Sequence, residues 1–459
     1  MTERVNMREA ALEVLLSVNR DGEKSHRIIR SVLEKYQYLP RQERAFFTRL
    51  CEGTLEYRLQ LDYILEAFSR TPVRKMKPAI REILRMAVYQ MRYMDAVPDS
   101  AAVNEAVKLV AKKGMQPLKG FVNGVLRNVS RNPGSPEWPP REDEVRYLSV
   151  KYSMPEYLTE KWLRDLGRGV TEAMLTDFLR GRPLSVRLRG GSADREKTLE
   201  ELAAQGIAAE AAPYAKNAFY IENYDYLGKI PAFRQGRMVV QDVSSMLAAE
   251  AAAPRPGSRV LDICAAPGGK SLYLADLAGE DSLVTARDLT AAKVEQIREN
   301  AARCRVDNVL AEQWDACVFD PEMEEKADTV LADVPCSGYG VIARKPDIKY
   351  QASREKESSL AELQRRILDR AAAYVKPGGV LVYSTCTVNA AENQENARWF
   401  AENYPFVPES LEPYLCPELC GGSAQQGWIQ LLPGVHKCDG FFIARFRKRE
   451  DLQKADGER

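Results

Sequence analysis

The chain has 459 residues, of which 45% are hydrophobic and 29% are charged, and its formal net charge is +1. This length predicts two to three domains, each large enough to bury a core. No apolar run approaches the roughly 18 residues of a membrane span, and the N-terminus lacks the apolar region of a signal peptide, so we expect a soluble, cytoplasmic protein. Nine cysteines without a regular spacing indicate reduced thiols.

The charge is distributed unevenly along the chain. Residues 1–151 contain 27 Lys and Arg against 19 Asp and Glu, a net +8, whereas the remainder carries a net −7. This asymmetry predicts that a polyanion is contacted mainly by the N-terminal part. A solvated, charged helical surface would give the same count, and that alternative stays open.

Residues 1–131 have the pattern of an all-α bundle. Apolar residues recur every three or four positions, and breaks at a glycine and several prolines separate roughly six helices. Asp99 and Ser100 are expected to cap the next helix, 101–112. The segment 121–128, Phe-Val-Asn-Gly-Val-Leu-Arg-Asn, resembles the signature helix of NusB-like RNA-binding domains, and the helix count agrees.

Residues 132–144 are rich in proline and are predicted to form a linker. Residues 145–235 are predicted to contain a helical segment and then a small α+β domain, with strands at 184–188 and 218–221. This unit resembles the RRM-like extension that precedes the catalytic domain in many RNA cytosine methyltransferases. Its arginines offer two interpretations. Those that flank the first strand, Arg187 and Arg189, either contact phosphates or lie on an exposed sheet face.

Residues 236–449 alternate between strand and helix patterns, which predicts a doubly wound parallel sheet. A long helix at 358–375 is expected to end at Pro377-Gly378-Gly379. Two late strands around Pro433-Gly434 are expected to form an antiparallel edge hairpin, and 450–459 a charged tail. The expected parallel strands are 259–263, 283–287, 309–313, 329–333 and 380–384.

The first of these strands runs into Asp-Ile-Cys-Ala-Ala-Pro-Gly-Gly-Lys, residues 262–270. A strand, a glycine turn and a helix start place backbone N–H groups at the sheet edge, where ligands bind. The turn does not match a P-loop, because Cys264 stands where glycine is needed, and a dinucleotide-binding G-x-G-x-x-G is absent. An ordinary sharp turn of an α/β domain remains the alternative.

Three acidic residues, Asp288, Asp315 and Asp333, stand at or just beyond the ends of the second, third and fourth strands. The first can accept hydrogen bonds from both ribose hydroxyls of a nucleoside, and the second can reach its base. A single Asp at such a position is more often a helix cap. Three of them beside a glycine-rich turn predict a nucleoside cofactor. We expect S-adenosylmethionine, because the turn lacks the spacing that admits a pyrophosphate.

Two cysteines follow neighbouring strands, Cys336 in a Pro-Cys pair and Cys386 in a Thr-Cys pair. Both thiols are therefore expected over the same crevice. Methylation of an amine needs no thiol, but C5 of a pyrimidine is a poor nucleophile. A thiolate that adds at C6 turns the ring into an enamine, whose C5 can accept a methyl group. Two buried small residues are the structural alternative, which explains the pairing of the two motifs poorly.

Together these motifs resemble RNA cytosine-5 methyltransferases of the Sun/Fmu type, over nearly the whole chain. The resemblance implies an α/β fold: a Rossmann-like S-adenosylmethionine-dependent methyltransferase domain, preceded by the all-α NusB-like bundle and the small α+β RRM-like domain. It implies methylation of C5 of a cytosine in 16S ribosomal RNA. We expect a monomer that holds no metal and binds no membrane.

The resemblance also implies residue roles. Cys386 would be the nucleophile, Cys336 would assist release of the product, and Asp333 would lie between cofactor and base. DNA cytosine methyltransferases use the Pro-Cys cysteine instead, so spacing alone leaves the two roles open. Arg287 departs from the family, which has a small residue there. The implied cofactor contacts are Cys264, Ala265, Ala266, Pro267, Gly268, Gly269, Lys270, Asp288, Asp315 and Asp333.

Three other interpretations of the sequence predict different features. An RNA-binding antitermination or assembly factor with a methyltransferase-like body would have lost cofactor or thiol residues, and both sets are present. A methyltransferase acting on an amine or on protein would not need the paired cysteines. A zinc site is a further possibility, with Cys416, Cys420, His436 and Cys438 as candidate ligands. The spacing of these four residues fits no common structural zinc site.

Overall fold

The computed structural model describes residues 5–450, and the predicted C-terminal tail lies almost entirely outside that range. The chain forms two compact units. The first contains the described residues up to Arg180 together with Ile342–Ala352, and the second contains Gly181–Val341 together with the residues from Ser353 onward. Within residues 5–450, no helix combines the length and the apolar character that crossing a membrane requires.

The first unit is helical, as expected. The segment up to Arg131 contains seven α-helices rather than about six, because Tyr57 separates two of them. Its core contains Leu12, Leu50 and Leu84, all fully buried, and each buried leucine contributes about 1.5–3 kcal/mol. The helices of this unit are α1 Met7–Asp21, α2 Ser25–Lys35, α3 Arg41–Glu56, α4 Arg58–Phe68, α5 Pro78–Tyr93, α6 Asp99–Lys112, α7 Lys119–Arg131, α8 Glu144–Lys151 and α9 Glu156–Phe178.

The expected cap of α6 is wrong. The helix begins at Asp99 itself, and the N-cap position is taken by Pro98, which makes no side-chain cap. The carboxylate of Asp99 instead accepts a hydrogen bond from Oγ of Ser130, at 2.6 Å. The side chain that the sequence predicted as a helix cap therefore joins α6 to α7 instead.

The segment Ile342–Ala352 packs within the first unit, which the sequence did not predict. Nζ of Lys349 donates to the carbonyl of Glu56 at 2.7 Å, and the hydroxyl of Tyr350 donates to the carbonyl of Leu55 at 2.7 Å. Burial lowers the pKa of Lys349 and raises the pKa of Glu56, while the attraction between the two charges opposes both changes. The buried side chain of Lys349 thus attaches this segment to the helices of the first unit.

The second unit begins with a small antiparallel sheet. Its elements are β1 Leu184–Leu188, α10 Ser192–Ala204, β2 Ala208–Ala211, β3 Ala218–Glu222, α11 Pro231–Arg234 and β4 Met238–Val240. The strand order is β2-β3-β1-β4. Two of these strands, β2 and β4, were not predicted, because an alanine-rich run and a three-residue strand give little local signal.

The strands of the large sheet are β5 Arg259–Asp262, β6 Leu283–Asp288, β7 Val309–Gln313, β8 Ala327–Asp333, β9 Val375–Thr385, β10 Phe406–Pro408, β11 Trp428–Leu431 and β12 Phe441–Lys448. Their order is β10-β12-β9-β8-β5-β6-β7, and β11 pairs with β12. All five predicted parallel strands are present and pair in parallel as β5 to β9. The helices are α12 Val243–Ala252, α13 Gly269–Ala278, α14 Ala291–Cys304, α15 Arg354–Tyr374 and α16 Gln394–Asn403.

Two expectations about this sheet need correction. The hairpin of β11 and β12 is antiparallel as predicted, but β12 also pairs with β9 and with β10, so it is not an edge strand. The helix α15 ends at Tyr374, and Pro377-Gly378-Gly379 lies inside β9 instead of ending the helix. The sheet is therefore mixed, with five parallel strands extended by an antiparallel part.

Arg187 and Arg189 hold the small sheet against α13. Arg187 is 1% exposed, and its guanidinium lies 4.1 Å from the ring centre of Tyr273 and 2.5 Å from Asp276. Arg189 pairs with the same carboxylate at 2.6 Å. Burial alone would raise the pKa of Asp276, but the two arginines lower it. Because Arg187 is buried and paired, neither a phosphate contact nor an exposed sheet face applies to it, and the partly buried Arg189 pairs with the same carboxylate.

Candidate active site

The first turn of the large sheet connects β5 to α13. Gly268 adopts a φ of 100°, which favours glycine, and a Cβ there would lie 3.3 Å from Ile297. At Gly269 a Cβ would meet nothing nearer than Gln241, at 3.8 Å. The turn thus needs glycine at its first position and leaves space at its second.

Asp262, the last residue of β5, is fully buried. Its Oδ2 accepts a hydrogen bond from Oγ of Ser271 at 2.7 Å, and its Oδ1 has no partner among the described residues. Burial raises the pKa of Asp262 to about 7, and the negative charge of Asp333 adds to the increase. A buried carboxyl with an unused oxygen therefore lies at the base of the turn.

The raised pKa predicts a pH-dependent effect of Asp262→Asn. Between about pH 4 and about pH 7, the Asp262 carboxyl is protonated in the folded state and ionised in the unfolded state. It therefore lowers the free energy of unfolding as pH rises through this range, and the loss stays constant above about pH 7. We expect the variant to gain in Tm over the native protein at pH 8 and to lose that gain toward pH 5. Calorimetry without cofactor, at four pH values, measures it. A Tm difference that does not change with pH would contradict the argument.

Asp288 lies directly against this turn. Its Oδ2 accepts from the amide of Ala266 at 2.9 Å, and its Oδ1 accepts from the amide of Leu289 at 2.7 Å and from Nζ of Lys293 at 2.8 Å. Asp315 is exposed, and its Oδ1 accepts from the amide of Cys317 at 2.9 Å. Of these two predicted cofactor contacts, only Asp288 is bonded to the turn.

Arg287, the departure from the family pattern, is buried in an ion cluster of its own. It pairs with Glu312 at 2.9 Å and with Asp320 at 2.6 Å, and its guanidinium lies 4.8 Å from the ring centre of Trp314. The charge of Arg287 is therefore paired with two carboxylates, while its Nη1 is buried without a hydrogen-bond partner among residues 5–450.

Asp333 links the first turn to the thiols. Its Oδ2 accepts from Nζ of Lys270 at 2.7 Å, and its Oδ1 accepts from Oγ of Ser384 at 2.7 Å. Burial opposes the charge of Lys270, but Asp333, Asp262 and Cys386 together raise the pKa of its ammonium. A lysine ammonium thus lies among the acidic residues and interacts with a thiol.

The two predicted cysteines meet, with 3.3 Å between their Sγ atoms. The loop after β8 is joined to the end of β9 by the amide of Gly340, which donates to the carbonyl of Cys386 at 3.1 Å. The hydrogen bond with Cys386, then burial, then nearby negative charge raise the pKa of Cys336 well above its ordinary value. Both cysteine residues are intermediate in exposure.

Sequence reasoning missed a polar network behind this loop. Glu392, Asn393 and Gln364 are fully buried and hydrogen-bonded to the two thiol-bearing segments. The sequence signal for Glu392 and Asn393 was the polar run Glu-Asn-Gln shortly after the Thr-Cys pair, whereas Gln364 lies within the predicted helix 358–375. Hydrophobic periodicity cannot distinguish such residues from a solvated loop.

The remaining cysteines do not gather around a metal. Among residues 5–450, no group of three or more His, Cys, Asp and Glu side chains is arranged to hold an ion. Nδ1 of His436 accepts a hydrogen bond from the amide of Leu432 at 2.9 Å. Cys51 and Cys304 are buried in apolar clusters, and Cys317 is partly buried.

A sheet of this order, with a glycine turn, acidic strand ends and paired thiols, defines the α/β methyltransferase class. Comparison with family models agrees domain by domain. Residues 249–447 match the model described as 16S rRNA methyltransferase RsmB/F, residues 5–131 match the NusB family, and residues 154–225 match the RsmF/B-like ferredoxin-like domain.

The chain belongs to the RsmB/F family and is an rRNA methyltransferase of that family. It is similar to the probable ribosomal RNA small subunit methyltransferase B of Bacillus subtilis (strain 168), with 38% identity over 97% of this chain and 99% of the relative. The protein of the same description from Synechocystis sp. is 30% identical over 97% of this chain and 100% of its own length. The solved structure of PH0851, 24% identical, matches 97% of this chain and all of its own with a TM-score of 0.80, which shows the fold.

Proposed function

We propose that the protein methylates C5 of a cytosine in 16S ribosomal RNA, with S-adenosylmethionine as methyl donor and a covalent bond between Cys386 and C6 of the base. The observation that carries this proposal is the pair of thiols 3.3 Å apart at the ends of neighbouring strands. Methyl transfer to an amine would leave such a pair without a purpose. The relatives' names, which specify small-subunit ribosomal RNA, support the choice of substrate.

The residues around the first turn fit the proposed cofactor. Asp262 offers a buried oxygen without a partner, and Asp288 presents a carboxylate beside the turn amides. A carboxylate at this position suits ribose hydroxyls, since hydrogen bonds to a charged group are strong. When bound, S-adenosylmethionine supplies a methyl group that a carbon nucleophile can accept.

The two thiols divide the chemistry on the base. The cytosine must first leave its stack, because C6 is shielded within a helix. The thiolate of Cys386 then adds to C6, which makes C5 nucleophilic. The carboxylate of Asp333, which also accepts from Nζ of Lys270, would accept a hydrogen bond from the amino group of the ring. After C5 is methylated, its proton passes to water, and the electrons of the C5–H bond re-form the C5–C6 double bond as the C6–S bond breaks. Cys386 leaves as a thiolate, which the thiol of Cys336 stabilises by donating a hydrogen bond to its Sγ.

Bisulfite mapping of 16S ribosomal RNA tests the proposal. RNA from a strain that lacks this gene is compared with RNA from the same strain complemented by the native chain or by Cys386→Ala. We expect one protected cytosine that disappears on deletion and returns only with the native chain. An unchanged map, with the RNA still bound by the purified protein, would favour an RNA-binding factor without this activity.

The NusB-like helices are proposed to contact the RNA backbone. A groove between α6 and α7 is lined by two lysines, Lys108 and Lys119, and by Asn104 and Asn123. We expect Lys108→Ala with Lys119→Ala to weaken RNA binding and to reduce the salt slope by about 1 for each phosphate that the lysines no longer neutralise. Binding titrations at several salt concentrations measure this slope. Lys326→Ala, an exposed lysine of the other unit, is the matched control, and equal slopes for both variants would exclude the groove.

A further inference from the structure

A buried acidic residue connects the parts of the thiol site. Glu392 is 0% exposed and lies in the turn directly before α16. Its Oε2 accepts hydrogen bonds from the amide of Ser337 and from Nε2 of Gln364, both at 2.9 Å. Its Oε1 accepts from Nδ2 of Asn389 at 2.7 Å. All three partners donate, which suits a carboxylate because it only accepts.

These hydrogen bonds hold the Pro-Cys loop on both sides of Cys336. Ser337, whose amide donates to Glu392, follows Cys336 directly in the chain. Gln364 donates both to Glu392 and to the carbonyl of Pro335, the latter at 3.0 Å. The residue before the thiol and the residue after it are thus tied to one carboxylate and its neighbour. The position of Sγ of Cys336 depends on this network.

The charge of Glu392 also opposes ionisation of Cys336. The hydrogen bond with Cys386, burial, and the negative charges of Cys386, Glu392 and Asp333 together raise the pKa of Cys336 well above its ordinary value. Cys386, in contrast, is among the groups that favour the ammonium form of Lys270. Cys336 is therefore a thiol whose ionisation the surrounding charges oppose.

We propose that Glu392 positions Cys336 and keeps the proton on its Sγ, so that Cys386 carries the thiolate and attacks the base. The proposal rests on the proposed function, because it concerns the same pair of thiols. Glu392 acts through Cys336 and is therefore a positioning residue. Without its charge, the two sulfur atoms would compete for the thiolate form.

Two substitutions separate the effect of the charge of Glu392 from the effect of its side-chain length. Glu392→Gln keeps the length and removes the charge. Oδ1 of Asn389 is buried without a partner among residues 5–450, so rotation of that side-chain amide lets it accept a hydrogen bond from the new glutamine. Glu392→Asp keeps the charge but is one methylene shorter, which withdraws it from the amide of Ser337. Glu395→Gln, an exposed glutamate three residues later, is the matched control.

The full-length variants are compared in two assays. The first measures kcat and KM for methylation of 16S ribosomal RNA, together with calorimetric binding of S-adenosylmethionine as a test of folding. The second measures iodoacetamide alkylation of Cys336 relative to Cys386 by mass spectrometry of peptides, without RNA. Since only the thiolate reacts, this ratio reports how the negative charge is divided between the thiols.

For Glu392→Gln we expect faster alkylation of Cys336 relative to Cys386 and a kcat lower by about 10- to 100-fold, with KM and cofactor binding within about two-fold of native. For Glu392→Asp we expect a lower kcat with a native alkylation ratio. A native ratio and a native kcat in the glutamine variant would overturn the proposal. Should that variant fail to bind cofactor, a native kcat in the aspartate variant would overturn it instead. A native enzyme that methylates no cytosine would refute the proposed function, whereas the alkylation ratio would still decide the role of Glu392.

Discussion

Cys386→Ala is expected to abolish methyl transfer and to form no covalent complex with RNA, because the substitution removes the thiolate that is proposed to add to C6. Cys336→Ala should behave differently, since attack and methylation can proceed while collapse of the adduct is impaired. The second variant should therefore accumulate a protein–RNA complex that survives denaturing electrophoresis and is removed by protease. The 3.3 Å between the two Sγ atoms is the reason why one substitution affects the reaction of the other thiol.

Electrophoresis of labelled RNA with each variant measures this difference. Cys420→Ala is a suitable control, because its thiol is exposed and lies in a different part of the chain. A denaturant-stable complex in Cys386→Ala and none in Cys336→Ala would reverse the two roles. The site would then use its Pro-Cys thiol as the nucleophile.

Asp288→Ala is expected to weaken the binding of S-adenosylmethionine by about 2–3 kcal/mol, the scale of hydrogen bonds to a charged group. The variant would lose the proposed ribose contact and would also release the amide of Ala266 and the ammonium of Lys293. Asp315→Ala should have a smaller effect, because the structure leaves Asp315 exposed and bonded to its own loop.

Calorimetric titration measures both affinities. Asp281→Ala, an exposed aspartate just before β6, controls for the loss of one negative charge. Thermal unfolding of each variant tests whether the fold is retained. Unchanged affinity in a folded Asp288→Ala would remove this residue from the cofactor site.

Much of the large sheet could be predicted because its signals are local. Short apolar runs such as 259–263, which lies between Pro256-Gly257 and Pro267-Gly268, predicted the parallel strands, and all five are present. The carboxyl ends of parallel strands share one edge, so Cys336 and Cys386 could be expected to meet although 50 residues separate them. Strand order and sequence were enough for that conclusion.

Elements with weak local signals were not predictable in the same way. The strand β4 has three residues, and its pairing with β1 depends on residues that lie 50 to 54 positions earlier in the chain. Likewise β12 was expected at an edge, because a hairpin pattern does not show which further strands will pair with its outer side. Propensity specifies that a segment is extended, whereas the sheet around it decides its place.

By itself the sequence determined the domain classes, the glycine turn, the acidic strand ends and the two cysteines, since each is written in consecutive residues. The tertiary structure alone decided which charges meet. It paired Arg187 with Asp276, placed Lys349 against the carbonyl of Glu56, and surrounded Glu392 with donors next to Cys336. Buried polar groups must find partners wherever the fold brings them, often far along the chain, and no local pattern encodes those partners.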